Sequence, residues 1–181
     1  MYVYLLGASL LANFADSLFG PLYAVYVQNI GGDVLDIGNS MAIYSITTGV
    51  LIIIFGKVSD YISKEILTVF GFALGAIGTL CYLIIETTIE LYALQILFAL
   101  STAILSAPLS ALFAQHIDTK KSGLLWALEG GGGKIIAGIG LLLGTTITYT
   151  FGFNTTFLVI FALQIGATLF QAKVFLESRR K

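Results

Sequence analysis

Six long apolar runs occupy almost the whole chain and restrict it to a membrane environment. They comprise residues 2–27, 38–56, 66–85, 91–114, 123–149 and 151–172. A helix needs roughly 20 apolar residues to cross a hydrocarbon core of about 30 Å, and each run is about that long. The runs are too long and too continuously apolar for barrel strands, so helices best satisfy their backbone groups in lipid. We predict an all-α integral membrane protein with one domain of six transmembrane helices.

The composition excludes an ordinary soluble domain. Hydrophobic residues make up 57% of the 181 residues and charged residues 10%. The first run has no basic segment before it and no Ala-x-Ala site after it, so we expect it to be retained rather than removed as a signal peptide. The single cysteine, Cys81, lies in an apolar run and predicts no disulfide framework.

The distribution of lysine and arginine predicts the orientation of the chain. One of the nine, Lys134, lies inside an apolar run; the other eight fall on one side, at Lys57, Lys64, Lys120, Lys121, Lys173, Arg179, Arg180 and Lys181. Cations collect in cytoplasmic loops, so both termini are predicted to be cytoplasmic, in a plasma or inner membrane. The net charge is −1 and there is no basic patch, so we expect no nucleic-acid partner.

The charged decapeptide between the second and third runs carries a family pattern. Residues 56–65 read Gly-Lys-Val-Ser-Asp-Tyr-Ile-Ser-Lys-Glu. This resembles a loop of the major facilitator superfamily, Gly-x-x-x-Asp-x-x-Gly-Arg-Lys/Arg, at Gly56, Asp60 and Lys64. It departs from that loop at Ser63 and Glu65. The resemblance implies a conformational latch at the cytoplasmic helix ends, formed by the three matching residues. The alternative is an ordinary solvated turn.

Two further stretches are similar to the amino-terminal half of the same superfamily. Residues 14–23 resemble its first helix, and residues 107–118 resemble the end of its fourth. The resemblance implies a 3+3 inverted repeat, which is one half of a full transporter. Two family features are missing: Gln95 lacks the arginine and glycine of Arg-x-x-Gln-Gly, and no proline follows the spaced glycines Gly140 and Gly144.

The first run has a polar face that contains an acid. Its members recur at steps of three or four residues, at Ser9, Asn13, Asp16, Gly20 and Tyr23. Asp16 lies near the middle of the run, where an ionisable group is costly and usually faces a cavity or a partner. Pro21 predicts a kink just beyond it. The alternative role for Asp16 is a structural pair with a buried lysine.

The fifth run contains two ionisable residues separated by four glycines, Glu129 and Lys134. It is not a phosphate-binding loop, because Leu128 and Ile135 occupy positions where that motif needs glycine and a hydroxyl residue. Five residues turn a helix by about 140°, so the two side chains are predicted to face different neighbours. The alternative is a buried charge pair that holds helices together.

The remaining polar residues predict a polar face on the fourth run. Gln95, Thr102 and Ser106 share that face, whereas the third and sixth runs are interpreted as scaffold. His116 is isolated from other metal-ligating side chains, so no metal site is predicted. No catalytic dyad or nucleophile is apparent, so we expect neither an enzyme nor a bound cofactor.

These patterns lead to a functional hypothesis. We predict a half-size secondary active transporter of a small solute, working by alternating access and pairing as a homodimer or with another six-helix half. Asp16 is the predicted proton-coupling acid and Lys134 the predicted anchor of an anionic solute. Glu129 is a second proton site or the balancing charge, and Asn13 and Gln95 complete the predicted solute and ion site.

Two alternatives remain open. The chain could be a membrane scaffold that binds a partner without transporting, in which case replacement of Asp16 by asparagine would be tolerated. It could also be a fragment of a twelve-helix transporter. In each case we expect membrane lipid to surround the helices.

Overall fold

The computed structural model describes residues 2–178, apart from the side chain of Thr119. Its helices are α1 (Tyr2–Ser17), α2 (Tyr23–Asn29), α3 (Val34–Val58), α4 (Lys64–Cys81), α5 (Thr88–His116) and α6 (Ser122–Ser178). Short 3-10 turns, Gly20–Leu22 and Thr119–Lys121, precede α2 and α6. The predicted basic carboxy-terminal end, Arg179 to Lys181, lies outside the described residues.

The first predicted span consists of two helices that meet at a bend. α1 ends at Ser17, directly after Asp16, and Pro21 occupies the 3-10 turn that leads into α2. Proline cannot donate a helical hydrogen bond, so the regular α-helix is interrupted at this point. Together the two helices form one 28-residue stretch that is long and apolar enough to cross a membrane. The bend lies where Pro21 predicts it, immediately beyond Asp16.

Acidic residues of two loops cap the helices that follow them. At the start of α3, the Asp33 carboxylate accepts hydrogen bonds from the backbone NH of Leu35 and Asp36, and Asp36 accepts one from the NH of Asp33. Thr87 and Glu90 form the same reciprocal arrangement at the start of α5. Because capping satisfies NH groups that a first helical turn leaves free, these acids have a structural role.

The long segment α6 changes direction at Gly152. This glycine has φ 82° and ψ 171°, a backbone conformation that glycine adopts at little cost. The Oγ1 atoms of Thr148 and Thr156 are 2.7 Å apart, although eight residues of straight helix would separate them by about 12 Å. Gly152 therefore divides α6 into a first arm, residues 122–151, and a second arm, residues 153–178.

Five helical segments in the described chain are long and apolar enough to cross a membrane. The sequence predicts six spans, whereas the structure has five such segments, because the predicted fifth and sixth spans are continuous with each other in α6. The bend at Gly152 falls between those two predicted spans. The predicted all-helical class is confirmed for residues 2–178, and these helices include segments long and apolar enough to cross a membrane.

Packing places α4 at the centre of the molecule. α4 contacts both α5 and α6, while α1 packs on α6 and α3 packs on α5. Glycines permit close approach on α4: a Cβ at Gly71 would come within 2.5 Å of Leu105 Cγ, and Ser101 donates a 2.8 Å hydrogen bond to the Gly71 carbonyl. In α3, by contrast, only 6% of the most apolar 18-residue stretch is buried inside the protein. This helix therefore offers most of its surface to lipid or to a partner.

Candidate functional site

A cavity of about 460 Å³ opens between the helices, next to the bend that follows α1. Its walls come from α1, the turn before α2, and α2, α3, α4, α5 and the second arm of α6. Aromatic residues dominate the walls: Phe19, Tyr23, Tyr44, Phe72, Tyr82, Phe98 and Phe157. Polar side chains are interspersed among them: Asp16, Thr79, Gln95, Ser101, Thr102 and Gln164. This size and mixture are typical of a small-molecule site.

Asp16 lies in the last turn of α1 and faces this cavity. Its Oδ1 accepts a 3.0 Å hydrogen bond from Gln164 Nε2. The other end of that amide, Gln164 Oε1, accepts a 2.7 Å bond from Thr79 Oγ1. The amide of Gln164 is thus held at both ends, between α1 and α4, and it fixes the Asp16 carboxylate on the cavity wall.

Gln95 of α5 organises the opposite part of the wall. Its Nε2 donates to the hydroxyl of Tyr23 at 3.0 Å and to that of Tyr82 at 3.4 Å. Tyr23 in turn donates to Ser40 Oγ in α3, which donates to the Ile37 carbonyl. This chain of hydrogen bonds connects three helices across the cavity, and it places the predicted residue Gln95 in the same cavity as Asp16.

Aromatic side chains pack closely against one another in the wall. Tyr82 stacks on Phe157 with ring centroids 4.8 Å apart, and Phe19 meets both rings edge-on at 5.0 Å. On the α3 side, the hydroxyls of Tyr44 and Thr102 are 3.0 Å apart. Edge-to-face and offset contacts of this kind add stability beyond the burial of area. The cavity shape is therefore set by packed rings.

The other predicted site residues lie away from the cavity. Glu129, in the first arm of α6, accepts a 3.4 Å hydrogen bond from Ser9 Oγ. Asn13 faces the same arm, since a Cβ on Gly133 would lie 3.4 Å from its Nδ2. Lys134 is exposed, and no hydrogen bond or ion pair joins it to another residue in the described part of the chain. Asn13, Glu129 and Lys134 do not line the cavity.

No ion pair connects Asp16, Glu129 and Lys134 within residues 2–178. The structure brings Asp16 together with Gln95 in one cavity, and it places Glu129 and Asn13 together at the contact between α1 and α6. These are two separate environments. Among the same described residues, no group of three or more His, Cys, Asp and Glu side chains could hold a metal ion.

The predicted latch residues occupy the turn between α3 and α4. Gly56 packs against α5, where a Cβ on it would lie 4.0 Å from Ala107 Cβ. Lys64 Nζ donates a 3.3 Å bond to the Ser59 carbonyl. The exposed Asp60 side chain forms no hydrogen bond or ion pair with other described residues. Ser63, a departure from the family pattern, accepts from the NH of Ile66 and so caps α4.

Sequence reasoning missed Gln164 and the aromatic wall as site residues. Gln164 recurs with Thr168 and Gln171 on one side of a span interpreted as scaffold, and that recurrence was the available signal. An amide in the middle of an apolar span requires a partner, because lipid supplies none. The aromatic residues had no such signal, since the chain contains 13 Phe and 9 Tyr and most positions are apolar.

Comparison with known proteins gives one family. None of the curated proteins compared with the chain matches it. The family model described as Major Facilitator Superfamily matches residues 5–181, which is nearly the full length given. The family consists of transporters that bind small molecules, rather than enzymes, and its members are multi-pass proteins of the membrane. With its apolar helices, its solute-sized cavity and this match, the chain belongs to the Major Facilitator Superfamily.

Proposed function

We propose that this chain is a half-size transporter subunit that moves a small solute by alternating access. The observation that carries the proposal is the cavity: Asp16 is the one carboxylate among the described residues that line it, and packed aromatic side chains surround it. Ionisable groups within a span are costly and usually belong to a transport pathway. A partner-binding scaffold would need neither a solute-sized cavity nor a positioned carboxylate.

The proposed architecture has six spans in a 3+3 arrangement. Support comes from Gly152, where α6 turns back on itself and its two arms become neighbours across the Thr148 and Thr156 hydroxyls. Each arm is longer than the roughly 20 residues that one crossing needs. Counting the arms separately gives three spans up to the end of α4 and three after it. Both termini then lie on one side, which the cation distribution predicts to be the cytoplasm of a plasma or inner membrane.

A second six-span half completes the proposed transporter, most simply another copy of this chain related by an axis normal to the membrane. Support comes from glycines on the exposed surfaces of α3 and the first arm of α6, where a Cβ would meet no atom within 4 Å: Gly38, Gly49, Gly130 and Gly131. Small residues let helices of another half approach closely. A fragment of a twelve-helix transporter would present the same surfaces to its own second half.

Asp16 is the proposed proton-coupling residue, because it is the one carboxylate among the described residues that line the cavity. Asn13 and Glu129 lie outside this cavity, and a second proton site at Glu129 stays a prediction. The anionic solute also stays a prediction, since it depends on Lys134, an exposed residue of the first arm of α6. If Lys134 is the anchor, Lys134→Ala abolishes solute binding, whereas Asp16→Asn keeps binding and loses only the dependence on a proton gradient.

The turn with Gly56, Asp60 and Lys64 is proposed to act as a latch between conformations. Asp60 is exposed and has no partner among the described residues, so a partner must come from the second half or from another conformation of this one. Asp60→Asn should then slow turnover in vesicles without lowering thermal stability. Unchanged turnover would reduce the turn to an ordinary loop.

The transport proposal is tested with the full chain reconstituted in vesicles that contain a pH-sensitive dye. A panel of small amines, carboxylates and sugars is applied, and we expect at least one solute to drive proton movement. Asp16→Asn should abolish this movement, while Asp118→Asn, at an exposed loop carboxylate, should not.

The mass of the same protein in nanodiscs tests pairing, and it should correspond to two copies. Absence of movement for every solute, with radiolabelled exchange equally negative, would contradict transport; full-rate transport by single copies would contradict pairing.

A further inference from the structure

The cavity contains one charged side chain and two hydrogen-bond acceptors that lack a donor. Asp16 is the only charged residue among the described residues that line it. Gln164 donates to Oδ1 of Asp16, and no described group donates to Oδ2. Gln95 is 7% exposed and uses its Nε2 for two tyrosine hydroxyls, while its Oε1 accepts no bond from a described residue. Both side chains therefore have free acceptor atoms, and a ligand that carries hydrogen-bond donors would complement them.

The same cavity is lined by aromatic rings that are only partly buried, those of Phe19, Tyr23, Tyr44 and Phe98. Phe19 follows Asp16 by three residues, and its ring contacts those of Tyr82 and Phe157 at centroid distances of 5.0 Å. Aromatic rings attract a cation through their quadrupole and give an apolar body a surface to pack on. A carboxylate beside a group of rings is thus complementary to a cation with an apolar body.

An anion meets the opposite conditions. No lysine, arginine or histidine is among the described residues of the cavity lining, and Lys134 is exposed outside it. A carboxylate or phosphate ligand would approach Asp16 without a balancing charge from this half. Like charges in a site of low dielectric repel strongly, so such a ligand is disfavoured.

We propose that the cavity is a binding site for a small organic monocation with an aromatic or apolar body and an ammonium group that carries N–H donors. The ammonium supplies the charge that balances Asp16 and the donors that Asp16 and Gln95 lack. The body packs on Phe19 and Phe98, rings of the cavity lining that are only partly buried. This assignment names the solute class for the proposed function and rests on it for transport, although binding can be measured separately.

The test compares three probes of the same shape on the full chain in nanodiscs at pH 7.5. Phenethylammonium carries the positive charge, 2-phenylethanol is neutral, and 3-phenylpropionate is negative. Equilibrium dialysis with labelled probes should show that the ammonium binds at least tenfold more tightly than either of the others. Equal or tighter binding of the alcohol or the carboxylate would overturn the proposal, and this comparison needs no variant.

Two variants assign the binding to the cavity. Asp16→Asn should weaken phenethylammonium binding at least tenfold, because the side chain keeps its size and loses its charge. Asp118→Asn removes a carboxylate from an exposed turn outside the cavity and should leave binding unchanged. Equal affinities of the Asp16→Asn protein and the original chain, with both folded, would overturn the proposal.

Failure of this proposal and failure of transport give different results. Phenethylammonium binding that depends on Asp16, without flux of any solute in vesicles, supports the ligand class and contradicts transport. Flux of a carboxylate or a sugar, without measurable phenethylammonium binding, supports transport and contradicts the ligand class.

Discussion

At the scale of single residues, two glutamines of the second arm of α6 differ in how well their amides are satisfied. Both ends of the Gln164 amide are hydrogen-bonded, to Asp16 and to Thr79. Gln171 is fully buried; its Nε2 donates to Thr68 Oγ1 at 2.6 Å, and its Oε1 has no partner. A buried polar atom without a partner costs about 1–3 kcal/mol, so the two residues should respond in opposite ways to loss of the amide.

Replacement of each glutamine by methionine tests this difference. Gln171→Met should leave thermal stability unchanged or raise it, because it removes the unpartnered oxygen and Thr68 still donates to the Lys64 and Glu65 carbonyls. Gln164→Met should lower stability by about 1–3 kcal/mol, because it leaves Asp16 without its donor. Both variants are compared in one detergent by thermal unfolding. A larger loss for Gln171→Met than for Gln164→Met would contradict the assignment.

At the scale of helices, the contact between α1 and the first arm of α6 depends on two glycines. A Cβ on Gly144 would overlap the backbone of Leu18, and a Cβ on Gly140 would overlap Ser17 Oγ. Because Leu18 follows Asp16 by two residues, this close approach also holds the end of α1 next to Asp16. Gly138, on the same arm, has no atom within 4 Å of its added Cβ and faces outward.

Alanine substitution at these glycines should therefore give opposite results. Gly144→Ala forces backbone apart and should destabilise the protein by about 1–3 kcal/mol, as overpacking does. Gly138→Ala meets open space and favours the helix by about 0.5–1 kcal/mol, so it should be neutral or stabilising. Thermal unfolding of both variants in detergent decides. Similar losses at the two positions would show that helix flexibility, rather than close packing, explains the glycines.

At the scale of the whole molecule, the proposed six spans place every loop on a definite side. We expect Leu35→Cys and Asn154→Cys to react with an impermeant thiol reagent from outside the cell. Tyr61→Cys and Glu177→Cys should react only after the membrane is opened. Each is made in a Cys81→Ser background, which removes the native thiol.

The side of the membrane on which Glu177 lies is decisive for α6. A single crossing of this segment would move Glu177 to the outside, whereas a turn at Gly152 keeps it inside with Tyr61. Labelling of Glu177→Cys from outside in intact cells would contradict the six-span arrangement. Labelling of all four positions in reverse would contradict the cytoplasmic orientation of the termini.

The sequence by itself determined the class of the protein. Backbone groups in lipid can be satisfied only within helices or closed barrels, so long apolar runs were sufficient to predict membrane helices. The turn at residues 56–65, together with residues 14–23 and 107–118, indicated the family that the match over residues 5–181 shows. Pro21 was sufficient to predict the bend beyond Asp16, because proline disrupts a helix locally whatever surrounds it.

Only the tertiary structure decided which polar residues meet. Helical periodicity placed Asp16 on a face of its run and separated Glu129 from Lys134 by about 140°, but it cannot say what each face contacts. The Asp16 carboxylate is paired with Gln164, a residue 148 positions away, and Lys134 lies outside the cavity. The rotation of each helix about its axis is set by packing against its neighbours, such as Gly144 on Leu18, and that packing involves contacts distant in sequence.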